Sequence, residues 1–133
     1  MLYLDSSAIV KLVQQERESA TLLAYLEQHA ASALLASMLA RVEVMRAAYF
    51  AGAAAVIRAA NVLATFQQVA VHPQLLDDAG NLLPGRLRSL DAIHLATARL
   101  FAGQLVAVIT YDRRLAEGAR TLNLPVATPG SVA

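Results

Sequence analysis

The chain has 133 residues, 57% of them hydrophobic and 16% charged, with eleven Lys plus Arg against ten Asp plus Glu and a net charge of +1. That balance predicts one globular domain over residues 1–133 with a substantial core, and argues against disorder and against the basic stripe of a duplex-binding protein. The absence of cysteine excludes a disulfide framework, a thiolate zinc site and a thiol nucleophile, and fits a reducing, cytoplasmic setting.

In chain order, "MLYLDSS" has neither the basic nor the apolar region of a leader, and the longest uncharged apolar run, residues 30–40, is too short to span a bilayer. "LYLD" (2–5) predicts a first strand. "SAIVKLVQQE" and "SATLLAYLEQHA" follow as helices, the second with Leu22, Leu23 and Leu26 at helical spacing. "ASALLAS" (31–37) predicts the second strand. "MLARVEVMRAAYFAG" predicts a helix closed by Gly52, and "AAAVIRAANVLATF" a further helix. "QVAVHP" (68–73) predicts a third strand stopped by Pro73, and "QLLDDAGNLLPGRLR" a broken helix punctuated by Gly80, Asn81, Pro84 and Gly85. "RSLDAIHLATARLF" (88–101) predicts a largely buried helix, "LVAVITYD" (105–112) a buried strand, "RRLAEGARTLN" a helix and "LPVATP" the last strand. Alternating strands and helices of this length predict an α/β fold, a parallel sheet covered on both faces.

In open parallel sheets, ligand sites lie beyond the carboxyl ends of the strands. Asp5 ends the first predicted strand and Asp112 follows the 105–110 strand. Asp91 stands near the start of an apolar helix, where an unpaired buried carboxylate costs several kcal/mol, on the order expected for an isolated ion. Glu43, between Val42 and Val44 on the helix after the second strand, is a fourth candidate. Four carboxylates brought together repel one another unless a cation neutralises them, and hard oxygen ligands suit Mg²⁺, with Mn²⁺ as a substitute. Such a site hydrolyses phosphate esters through activated water.

Each acid also has a simpler reading. Asp5 and Asp112 suit helix capping, and Glu43 an ion pair with Arg46 three residues on. Asp91 alone favours a functional role without help from the others. His94, three residues after Asp91, reads as a hydrogen-bonded structural histidine in preference to one half of a transition-metal pair. Asp77 and Asp78 read as a solvated helix face. Arg86, Arg88, Arg113 and Arg114 flank the candidate site and suit either nucleic-acid backbone contacts or solubility. Tyr111 suits a half-buried strand end better than a base-stacking platform.

"YLDSSAIVKL", "SMLARVEVMRA", "LRSLDAIHLATARL" and "VITYDRRLAEGARTLNLPV", in this order and at these separations, resemble the PIN-domain ribonucleases, and within them the VapC-type toxins of bacterial toxin–antitoxin pairs. The resemblance covers nearly the whole chain. It implies a three-layer α/β/α domain with a mostly parallel five-stranded sheet and a Mg²⁺-dependent endoribonuclease. It sets the family's acidic quartet on Asp5, Glu43, Asp91 and Asp112, with Asp5 and Asp91 as the direct metal ligands. It also matches Ser7, or less closely Ser6, to a hydroxyl beside the first acid, and Thr110 to an orienting group. A homodimer and a small inhibitory antitoxin, whose arm occupies the acidic groove, complete the expectation. Two rivals stand beside it: a catalytically silent RNA-binding or scaffold domain of the same fold, and a haloacid-dehalogenase-like phosphohydrolase. The second requires an acid two residues after Asp5, where this chain has Ser7.

Overall fold

Leu2, Tyr3 and Leu4 make up strand β1 (Leu2–Leu4), and all three side chains are fully buried. A strand buried on both faces occupies the middle of a sheet, and β1 does so. The computed structural model describes residues 1–83 and 86–131. Pro84 and Gly85, predicted above as chain punctuation, lie outside the described residues.

From β1 the chain runs through helices α1 (Ser6–Val13) and α2 (Ser19–Gln28) to β2 (Leu34–Ser37), then through α3 (Ala40–Ala51) and α4 (Ala53–Leu63) to β3 (Gln67–Val69). Helices α5 (Pro73–Gly80) and α6 (Ser89–Arg99), with a 3-10 turn at Ala102–Gln104, lead to β4 (Ala107–Ile109), α7 (Arg113–Thr121) and β5 (Val126–Ala127). The five strands lie in the order β3-β2-β1-β4-β5, and every pairing is parallel. Crossovers of one hand then require opposite faces for the two directions of travel. One core cluster joins Leu2, Leu4, Ala36 and Ile109 to residues of α1, α2, α3 and α4. The other joins Tyr3, Leu35 and Val108 to α5, α6 and α7. The result is the expected α/β/α arrangement.

Two elements depart from the sequence reading. Strand β3 covers Gln67–Val69, earlier and shorter than expected, because this edge strand is only partly covered and shows no buried alternation. Pro73 therefore does not stop a strand. It opens α5, where its missing N–H is not needed, with His72 as N-cap. Helix α6 is buried from Ala92 through Ala98 apart from Ile93, whereas Leu90 and Leu100 near its ends are exposed.

Helices α6 and α7 approach closely at Gly118. A Cβ there would stand 2.7 Å from Leu95 Cδ1 and 2.8 Å from Leu87 Cδ2. Among the described residues, no helix is long and apolar enough to cross a membrane.

The junction between α3 and α4 uses a backbone conformation that only glycine adopts freely, Gly52 with φ 104° and ψ 177°. Gly52→Ala is expected to destabilise the protein by about 1–3 kcal/mol in a urea titration. Gly80→Ala, on the last residue of α5 with open space around the added methyl, is expected to be neutral or to stabilise by up to about 1 kcal/mol. Equal effects at the two positions would contradict this account.

Candidate active site

The order β3-β2-β1-β4-β5 reverses direction between β1 and β4, the kind of switch point at whose carboxyl edge parallel sheets bind ligands. Leu4 pairs with Ile109, so Asp5 and Thr110 emerge side by side at that edge.

Asp5 is the N-cap of α1, accepting from Ala8 N at 3.0 Å, and the capping alternative therefore holds. The same carboxylate also accepts from Ser7 Oγ through Oδ1 and from Thr110 Oγ1 through Oδ2, both at 2.6 Å. It is 3% exposed. Burial pushes its carboxyl above the usual range, and the Ser7 and Thr110 hydroxyls, the His94 charge and the Ala8 amide oppose that shift only in part. Ser7 Oγ in turn accepts from Tyr111 N at 3.0 Å, and Thr110 Oγ1 from Asp112 N at 3.1 Å, so the two hydroxyls tie Asp5 to the loop after β4.

Asp112 is the N-cap of α7, accepting from Arg114 N at 2.8 Å and Leu115 N at 3.1 Å through one oxygen, Oδ1. Its charge acts on Asp91, in the first turn of α6. The Asp91 carboxyl is raised by burial, then by the like charge of Asp112, with Asp5 adding to the effect and His94 and Arg88 opposing it. Asp91 is half-buried, not enclosed as the apolar sequence around it implied. It sits in the first turn of α6, and among the described residues its carboxylate accepts no hydrogen bond.

Glu43, in the first turn of α3, does not pair with Arg46, which is exposed. Its Oε1 accepts from Ser6 Oγ at 2.6 Å and is 2.8 Å from His94 Nε2. Burial pushes this carboxyl up, but the His94 and Ser6 hydrogen bonds and the His94 charge outweigh it and hold it below the usual range. His94 is 3% exposed, and its Nδ1 lies 2.7 Å from the Tyr3 hydroxyl. Tyr3 is raised well above its ordinary value by burial and by the Asp5 and Glu43 charges, so it stays protonated. The Glu43 carboxylate has no proton to give, so His94 Nε2 is the donor of the 2.8 Å contact.

The structure thus brings Asp5, Glu43, Asp91 and Asp112, with Ser7 and Thr110, to one edge of the sheet. Among the described residues, no three His, Asp or Glu side chains converge closely enough to enclose an ion. The donor set nevertheless fits a hard divalent cation. All four acids offer oxygen, and the Asp91 carboxyl stays raised by burial and by the Asp112 and Asp5 charges although His94 and Arg88 oppose the shift.

Of the four candidate arginines, Arg88 is close enough to Asp91 to lower it, and Arg113 lines a cleft of about 430 Å³ with Tyr111 and Asp112. Arg86 and Arg114 line another cleft, of about 570 Å³, with Glu117. Arg86 lies 3.5 Å from the Glu117 carboxylate in an exposed pair worth under about 1 kcal/mol. Tyr111 is structural. Its hydroxyl donates to Pro129 O at 2.7 Å, and the Lys11 ammonium lies 4.7 Å from its ring centre. Ser6 and Tyr3 are the partners that sequence reasoning did not assign. The one local signal was a hydroxyl-bearing aromatic at the centre of an apolar strand.

A family model described as PIN domain matches residues 2–120. The chain is 45% identical over 128 residues to Ribonuclease VapC46 of Mycobacterium tuberculosis, covering 96% of this chain and 97% of that protein. It is 38% identical over 133 residues to Ribonuclease VapC35 of the same organism, covering 98% of each. Among solved structures it resembles Mycobacterium tuberculosis VapC20, described as a sarcin–ricin loop cleaving toxin, with a TM-score of 0.74 over 97% of this chain and 100% of that one. At 14% identity, that likeness bears on the fold alone. A model match over most of the chain and near full-length identity to two named ribonucleases agree with the site at the sheet's carboxyl edge: the chain belongs to the PIN-domain family, in its VapC-type branch.

Proposed function

We propose that this chain is a divalent-metal-dependent endoribonuclease of the toxin type, which hydrolyses RNA phosphodiester bonds with water as the nucleophile. What supports the reading is that four acids from distant segments stand at the N-caps or in the first turns of α1, α3, α6 and α7, with Asp91 raised by burial and then by the charges of Asp112 and Asp5. The VapC relatives, named as ribonucleases, direct it to RNA.

Asp5 and Asp91 would hold the cation directly, with Glu43 and Asp112 completing the acceptor set, and Mg²⁺ is the natural occupant, with Mn²⁺ able to replace it. Such a cation, when bound, neutralises the acids, polarises the scissile phosphate and favours ionisation of the attacking water. Ser7 and Thr110 prevent Asp5 from turning away. The acids cap or occupy the first turns of α1, α3, α6 and α7, so four helix N-termini face the incoming phosphate and favour negative charge there. Arg88 and Arg113 flank the acids and suit the flanking RNA backbone, with Arg86 and Arg114 farther along. Water attack forms the new bond to phosphorus and breaks the bond to the 3′ oxygen, which leaves with a proton. The products carry 5′-phosphate and 3′-hydroxyl ends, and the ribose 2′-hydroxyl takes no part. A small antitoxin presenting an arginine to the acidic groove is the natural inhibitor, and the working form is a homodimer.

One observation favours a non-catalytic RNA-binding scaffold: the carboxylates do not enclose an ion among the described residues. Binding of Mn²⁺ to the free protein separates the two, because a vacant ion site is stabilised in proportion to its occupancy.

With purified protein, Mn²⁺ and a mixed RNA sample, discrete fragments are expected that disappear with EDTA and in Asp5→Asn and Asp91→Asn, both folded by circular dichroism. A fully active, metal-responsive variant of either kind would overturn the assignment. At Asp112 the capping and charge contributions separate. Asp112→Asn is expected to keep the α7 cap, and so near wild-type stability, while losing cleavage. Asp112→Ala is expected to lose about 0.5–2 kcal/mol of stability as well, read from denaturant unfolding.

A further inference from the structure

We propose that Tyr3 and His94 form a buried positioning pair that fixes which oxygen of Glu43 faces the groove, and thereby sets that carboxylate's readiness to bind a cation. The inference rests on the metal-site reading above and concerns two residues outside the acidic quartet.

Both donors to Glu43 fall on the same atom. Ser6 Oγ donates to Oε1 at 2.6 Å, and His94 Nε2 reaches Oε1 at 2.8 Å. Among the described residues, no donor reaches Oε2. One oxygen carries both donors, and the other is left without one among the described residues. A free glutamate side chain has three rotatable bonds and surrenders their freedom when fixed. Here that cost is met on folding and not on ligand binding.

His94 can direct its Nε2–H only because its own ring is fixed. The Tyr3 hydroxyl holds Nδ1 at 2.7 Å, and the two rings meet edge to face, with centroids 6.1 Å apart and planes at 71°. Tyr3 has no exposed surface and lies in β1 at the centre of the sheet, whereas His94 lies in α6, one turn beyond Asp91. The pair therefore references Glu43, on α3, to the fully buried central strand and to the helix that carries Asp91. Partners of this kind, which orient a ligand without touching the ion, typically change metal affinity by about 10–100-fold when removed.

A histidine that only fills the core would, on removal, cost stability and leave ion affinity alone. Mn²⁺ titration of the free, full-length protein, counting unbound Mn²⁺ by electron paramagnetic resonance, distinguishes the two without recourse to RNA cleavage. His94→Ala is expected to weaken Mn²⁺ binding about 10–100-fold. His94→Gln, whose amide nitrogen can stand where Nε2 stood, restores most of it, and Tyr3→Phe loses part of it. In the Glu43→Ala background, His94→Ala adds nothing, the non-additivity expected of groups acting through one another.

Wild-type Mn²⁺ affinity in His94→Ala, alongside a weakened Glu43→Ala, would overturn the positioning pair and leave the metal site standing. Wild-type affinity in Glu43→Ala would instead overturn the role of Glu43 in the metal site and this inference with it. If His94→Ala does not fold, Tyr3→Phe decides, since it removes a single oxygen from the core. Wild-type affinity there overturns the pair.

Discussion

The Thr110 hydroxyl donates a 2.6 Å hydrogen bond to the Asp5 carboxylate across 105 positions of sequence, and the rest of the site is arranged around that contact. It exists because β1 and β4 pair in parallel with Leu4 opposite Ile109, so the residues that follow leave the sheet together. The chain enters β4 only after α5 and α6 have crossed to the second face. A slip of one residue in this pairing would turn Asp5 or Thr110 to the wrong face. The sheet register is therefore also the register of the site.

Parallel strands impose a second consequence. Helices α1, α3 and α7 each start at the edge where the preceding strand ends, and α6, which follows α5, brings Asp91 within reach of the Asp5 and Asp112 charges, so each of the four carries one of the acids at its N-cap or in its first turn. The partial positive charge of those ends offsets some of the repulsion among the acids. At Asp91 burial, and after it the charges of Asp112 and Asp5, still raise the carboxyl even though it lies in the first turn of α6. The capping and functional readings of Asp5 and Asp112 are not rivals. Each carboxylate uses one oxygen to start its helix, and Asp112 makes no other side-chain hydrogen bond among the described residues.

The layers, the order of elements along the chain and the edge that carries the acids were legible in the sequence, because buried parallel strands leave continuous apolar runs such as "AVI" and "LYL". The partners of Glu43 were not. Local spacing offers Arg46, but Ser6 and His94 come from 37 and 51 residues away and meet Glu43 only through packing. The same reason hid Tyr3, whose hydroxyl looks incidental in an apolar strand until α6 is laid across it. Strand β3 was misplaced because an edge strand is buried on neither side strongly enough to impose a pattern. The burial of Asp91 was overestimated because the apolar residues around it describe the length of α6 and not its open end.

Gly118 gives the acidic groove a dimension of its own. It lies on the helix that Asp112 caps and faces Leu95, one turn beyond Asp91 on α6. An additional methyl would have to displace two leucine ends that now stand 2.7 Å and 2.8 Å from its position. The spacing between the Asp91 and Asp112 helices is thus set on their buried side by the smallest side chain available. A larger residue at Gly118 acts there as a shim, shifting the helices that carry Asp91 and Asp112 without replacing either acid.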